Sequence, residues 1–290
     1  MTAILADHGY GKAGIRVGDV HRSGAEHRIR DLTVRTTLTG RFEDSYFTGD
    51  NSTVLPTDSQ KNAVQAHAAG DFGDIEDLAA ALTAYFVDSQ DVVEGACVHI
   101  EERAWQAVDV DGKPAPDCFQ AVPDLVRLAR AERDAAGVRI TSGLRGLRLF
   151  KSAGSEFHGF RRDRYTTLAE ATDRVLVTEV QASWTRAGDP TDWAAAHREV
   201  RRHLTEAFAE THSLALQQTL FAMGERVIEH VRDVASIKLT LPNQHHIPID
   251  LAPFGVAPAA DVFTVLDEPY GVIEGTVTRG PDNRDLKDRT

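Results

Sequence analysis

The stretch Gly14-Ile15-Arg16-Val17-Gly18-Asp19-Val20-His21-Arg22 decides how the chain begins. Apolar and polar residues roughly alternate through it, which is the period of a strand with one buried face. That reading governs the residues just before it. Gly9-Tyr10-Gly11-Lys12-Ala13-Gly14 spells GxGxxG, a pattern that cradles a dinucleotide only when a strand precedes it and a helix starts in it. Here only eight residues come first, and a strand follows. A nicotinamide or flavin site therefore fails on context. A P-loop fails as well, because Ala13 stands where Ser or Thr would hold magnesium.

Working outward, residues 28–42 alternate in the same way and predict a second antiparallel strand. A polar loop is expected over 43–59. Helices are expected over 60–69 and 74–87, the second with Asp74 as N-cap and Ile75, Leu78, Leu82 and Phe86 on one face. Strand patterns return at 97–110 and 118–128, joined by the Asp111-Gly112 turn signal. The second half repeats the order. Residues 138–151 and 175–185 read as strands on either side of a polar loop at 152–167. Residues 191–210 and 213–231 read as helices, and 236–241, 246–251, 262–266 and 271–278 as strands. The repeat predicts an internal duplication near residue 135, with units 1–135 and 136–290. Runs of strands separated by paired helices point to an α+β fold with antiparallel sheets and pairs of helices on one face.

The composition narrows the function. The chain has 290 residues, 42% hydrophobic and 26% charged, within the ordinary range for a globular protein. No run approaches a membrane span, and no secretory leader is readable. Two cysteines, Cys97 and Cys118, form no framework, and the expected location is the cytoplasm. The net charge of −12 argues against nucleic acid as a partner. It also means that an anionic substrate would need a few well-placed cations or backbone N–H groups. The twelve histidines form no HExxH or HxH pattern, and His245 and His246 should point to opposite faces of a strand, so no metal site is expected. No GxSxG elbow is present.

Single segments carry little. Thr57-Asp58-Ser59 before a helix is normally a cap, Phe157 normally core, Arg174 normally a surface ion pair, and Gln217 normally a solvated helix position. Together with Tyr10-Gly11-Lys12, the run from Gly146 to Phe157, Tyr165-Thr166-Thr167-Leu168, Thr172-Asp173-Arg174, Leu216-Gln217-Gln218-Thr219, Thr240 to His245 and Asp267 to Ile273, they resemble the urate oxidase (uricase) family in order along nearly the whole chain.

The resemblance implies tandem T-fold units and an oxidoreductase of purine metabolism. It would convert urate, O2 and water to 5-hydroxyisourate and H2O2, cofactor-independent, as a homotetramer with interface active sites. It implies that Phe157 stacks on the purine and that Arg174 and Gln217 grip its pyrimidine half with the Leu216 N–H. Thr57 and Asp58 would grip the imidazole half from the neighbouring subunit. Asn243 would hold O2 or water over the ring, and Lys12, Thr57 and His245 would relay protons. Two departures stand out: Gln244 where the family has Lys, and Pro56 where it has a small residue. The alternatives are another T-fold enzyme acting on a pterin or purine, and a purine-binding protein without activity. The charged tail from Arg279 to Thr290 is expected to be disordered or packed only in an oligomer.

Overall fold

The computed structural model describes residues 3–23, 26–188, 190, 192–256 and 262–280. The expected tail thus lies outside the described residues from Pro281 onward. The chain separates into two compact units, Met1–Leu144 and Arg145–Thr290.

In the first unit, β1 (Tyr10–Ser23) pairs with β2 (Glu26–Gly40), β2 with β3 (Val93–Val110), and β3 with β4 (Lys113–Asp134), all antiparallel. Between β2 and β3 lie α1 (Glu43–Phe47), α2 (Thr57–Ala68) and α3 (Ile75–Asp88). Leu32, Val34 and Leu38 of β2 alternate inward, as do Val98 and Ile100 of β3. They meet Ile75, Leu78, Leu82 and Phe86, the predicted stripe of α3, in one buried cluster. Truncating Phe86 there would cost about 3–5 kcal/mol.

The Gly-rich segment now has a physical role. A Cβ on Gly11 would lie 1.9 Å from the Thr36 carbonyl oxygen, so only glycine lets β1 approach β2 this closely. Gly14 sits at φ +71°, where the β1–β2 register shifts between Lys12 and Ile15. The segment is a bulged strand, and the bulge re-aims the residues beside it.

In the second unit, β6 (Leu176–Arg186) pairs with β7 (Val234–Pro248), and β7 with β8 (Phe263–Thr278), again antiparallel. The helices α4 (Trp193–Glu210) and α5 (Leu216–His230) intervene, and α5 packs on β7 and β8. The strand β5 (Gly137–Lys151) runs through the point where the chain divides. Antiparallel sheets with helices on one face are the expected α+β, T-fold-like arrangement.

Three local expectations change. The loop at 43–59 contains the short helix α1. The helix expected from residue 60 starts at Thr57, because Pro56 supplies the fixed φ of −53° just outside it. The four strands expected after α5 are two: β7 runs unbroken through Pro242. Its pairing with β6 skips residues 241 and 242, and its pairing with β8 shifts between Asn243 and His245. Pro242 stands in register opposite Val272 on β8, one residue before that shift, and no β6 partner stands opposite it.

Candidate functional site

Lys12, Thr57 and Asp58 lie in the first unit. Phe157, Arg174, Leu216, Gln217, Asn243 and His245 lie in the second.

The first set is held by a buried threonine. The Lys12 N–H donates to Thr36 Oγ1 at 3.2 Å, and that hydroxyl donates to Gln60 Oε1 at 2.7 Å. Gln60 is fully buried in the first turns of α2. One side chain thus ties the strand carrying Lys12 to the helix carrying Thr57 and Asp58. Lys12 and Thr57 are both half-buried. Asp58 is bonded by Lys61 and, at 3.2 Å, by Asn62. The Lys61 bond chiefly holds its carboxyl below the usual range, and the Lys12 charge adds to the effect.

Helix α2 starts without a side-chain cap, because its N-cap is Pro56. Thr57 is therefore not the cap that its position before a helix suggested. It is the first helical residue, and the N–H groups of this turn before Gln60 have no intrahelical acceptor. Such a turn attracts negative charge.

The second set is assembled by backbone bonds among three segments. The Arg174 N–H donates to the Ser155 carbonyl at 2.8 Å, and the Glu156 N–H to the Ser213 carbonyl at 2.7 Å. Phe157 and Ala171 exchange bonds of 2.8 and 3.0 Å. These links bring the Phe157 loop, Arg174 and the approach to α5 together. Phe160 stacks on Phe157 at 4.9 Å and 14°. The Arg174 guanidinium carbon lies 5.2 Å from the Phe157 ring centroid.

Arg174 is the unusual charge. Its Nε is buried without a hydrogen-bond partner, and no carboxylate pairs with it among the described residues. Burial alone pulls its pKa below the ordinary arginine value, with no acid to offset it. A half-buried guanidinium without a counter-ion is costly unless an anion arrives.

Helix α5 again starts uncapped, at Ala215. The side chain of Leu216 is buried, while Gln217 is exposed. This leaves the Leu216 N–H as a backbone donor at the helix start. Asn243 stands beside the β7 irregularity, opposite Thr178 on β6 and Gly271 on β8. Thr178 is fully buried and its hydroxyl has no partner. Gln244, paired with Val177, keeps a buried Oε1 without a partner. His245 pairs with Leu266, and the neighbouring His246 packs 5.5 Å from the Phe150 ring.

Ser155 and Glu156 enter the sequence reading only as part of the resemblance, without a role, and Thr178 is not singled out by it. Ser155 is buried in the bridge to Ser213, and its hydroxyl is unpaired. Nothing in a one-residue pattern marks a buried unpartnered hydroxyl. Among the described residues no three His, Cys, Asp or Glu are placed to hold a metal ion, and no helix is long and apolar enough to cross a membrane.

The family model described as Uricase matches residues 8–132 and 140–274. The uricase of Arthrobacter globiformis is 42% identical over 95% of this chain and 90% of its own length. That of Aspergillus flavus is 33% identical over 96% and 98%. The crystal structure of the Arthrobacter globiformis uricase superposes with a TM-score of 0.91 at 40% identity, covering 99% of this chain and all of that one.

Proposed function

The chain belongs to the uricase family and is a urate oxidase, and on that premise we propose how its two sets of residues divide the reaction. The observation that carries the proposal is Arg174, a half-buried cation that no acid among the described residues neutralises. Urate is an anionic, planar heterocycle, and a planar guanidinium fork suits one edge of such a ring. Arg174, Gln217 and the Leu216 N–H grip the pyrimidine half. Phe157, stiffened by Phe160, stacks on the ring.

The first set completes the site. Thr57 and Asp58 hold the imidazole half at the uncapped start of α2, contributed by a neighbouring copy in a homotetramer. Lys12, Thr57 and His245 form a proton relay. Thr57 alone is too weak an acid or base, so it passes protons on. Asn243 holds O2 or water over the ring.

The chemistry then needs no cofactor. Removing a second proton from the urate anion makes a dianion electron-rich enough to give an electron to O2. The protein binds the ring, accepts the proton and positions O2 and water. Recombination at the ring gives a hydroperoxide, and water displaces peroxide to leave 5-hydroxyisourate and H2O2. Two free cysteines suit a reducing compartment, and the cytoplasm is the location proposed.

Adding urate to the aerated protein tests the reading. It predicts loss of urate ultraviolet absorbance with one H2O2 formed per urate consumed. Urate left intact would overturn it. Dilution that dissociates the tetramer should abolish turnover; full activity in the monomer would remove the shared site.

A further inference from the structure

The Phe157 loop carries an acid that the reaction above does not use. One oxygen of the Glu156 carboxylate accepts from His158 Nε2 at 2.9 Å, and the other accepts from His212 Nε2. The two histidines belong to different segments. His158 follows Phe157 in the loop, and His212 lies on the approach to α5. The Glu156 main chain repeats the link, since its N–H donates to Ser213. The Glu156 side chain is 18% exposed, while those of His158 and His212 are about half exposed. The His212 bond, seconded by His158, holds the Glu156 carboxyl below its ordinary range.

The surroundings fix both anchors. Lys151 donates to the carbonyls of Phe208 and Ala209 at 3.3 and 3.1 Å and to that of Thr211, pinning the end of α4 just before His212. Asp173 accepts from the Gly154 N–H at 3.0 Å on the other side. Beyond His158, the Gly159 N–H reaches Glu170 at 3.4 Å, and Arg162 lies 3.8 Å from the same acid. The Glu156 side chain therefore joins the segment presenting Phe157 to the segment presenting the Leu216 N–H.

We propose that Glu156 is a positioning residue for urate: clasped by His158 and His212, it holds the stacking ring and the α5 donors in one fixed spacing. This rests on the assignment of Phe157, Arg174 and Leu216 to the urate grip. Its effect falls on binding, because the segments it joins contact the ring and not the proton relay. A ring held by preorganised groups binds with less ordering of the protein.

The test is steady-state kinetics on the full-length protein, with melting temperatures measured alongside. Glu156→Ala should raise KM for urate about tenfold with kcat changed less than about twofold, the pattern of lost binding. Glu156→Gln keeps an acceptor and a donor for the two rings and should recover most of the loss. The pair Glu156→Ala and His212→Ala should be no worse than Glu156→Ala alone, as expected for one shared interaction. If Glu156→Ala does not fold, His212→Ala and Glu156→Gln give the same comparison. An unchanged KM, equal losses in kcat, or additive effects would overturn the proposal. Arg174→Ala run in parallel separates the two failures. If it raises KM and Glu156→Ala does not, only the positioning role falls. If neither does, the assignment of the urate grip falls.

Discussion

Arg127 in the first unit and Arg174 in the second are both guanidiniums removed from water, and they are treated in opposite ways. Arg127 is surrounded by acids. It donates to Asp74 at 2.9 Å and to Glu76, and Glu102 lies 3.9 Å away. Glu76 is fully buried and also accepts from Ser142 at 2.7 Å. Those carboxylates hold the Arg127 pKa above the ordinary value despite burial, whereas burial lowers that of Arg174 unopposed. The same contrast separates the helices. Helix α3 opens with a full capping box between Asp74 and Asp77, and α4 with Asp192 accepting from the Ala195 N–H at 2.7 Å. The helices α2 and α5, which carry Thr57 and Leu216, have no side-chain cap. The Arg127 charge is neutralised by acids within the chain, although its Nε, like that of Arg174, has no partner. Where the proposal places the substrate, the charge of Arg174 and the starts of α2 and α5 are left open.

The first way to break this comparison is to remove the neutralised ion. Arg127→Ala leaves Glu76 buried and unpaired and should destabilise the fold by about 3–5 kcal/mol. Thermal denaturation checks it, and a small shift would mean that the buried acids are relieved by other groups. Next in size is the relay. Lys12→Met should lower kcat by about 100-fold or more while urate binding is mostly kept, in line with the usual worth of a positioned acid or base. Unchanged turnover would remove Lys12 from the relay.

A smaller effect should come from closing an open helix. Ala215→Asp places an acceptor at an N-cap whose backbone, at φ −160° and ψ 150°, already suits one. It should stabilise the protein by up to about 1 kcal/mol and raise KM several-fold, because the new carboxylate competes with urate for the same N–H groups. Gains in both stability and affinity would show that the start of α5 is not a substrate donor. The smallest effect is in pH. The Glu156 carboxyl sits below its ordinary value in the fold, so its contribution is present above the unfolded pKa of about 4.3 and lost as pH falls through the folded value. The ratio of wild-type to Glu156→Gln KM should therefore change only on the acid side of the carboxylate range. A flat ratio across that range would deny the coupling.

The strand and helix order was legible because burial imposes it. Leu32, Val34 and Leu38 show the period of two, and Leu78, Leu82 and Phe86 the period of a helix face. The strand expected after the Gly9–Gly14 pattern is there, and it begins within the pattern at Tyr10. What the pattern could not show was why the glycines are there, since the approach of Gly11 to Thr36 is a contact across two strands. Pro242 misled for a related reason. A proline interrupts a strand only if its N–H is needed, and that depends on a partner strand that local sequence does not reveal.

The candidate residues were named by resemblance, and their local chemistry was not visible in the residue types. Arg174 looks like any arginine until it is found to pair with no carboxylate among the described residues. Thr57 looks like a cap until Pro56 is found in that place. The Glu156 clasp was hidden for the same reason, because His212 is 56 residues away in the chain.

The account turns on Arg174 as a cation kept for the substrate, and urate binding without O2 tests it most directly. Calorimetric titration of the oxygen-free protein should show that Arg174→Met weakens urate binding about tenfold or more, the loss of a charge-assisted contact. The melting temperature of the ligand-free variant should be unchanged or higher, since an uncompensated buried charge has been removed. Undiminished urate affinity in Arg174→Met would contradict the account.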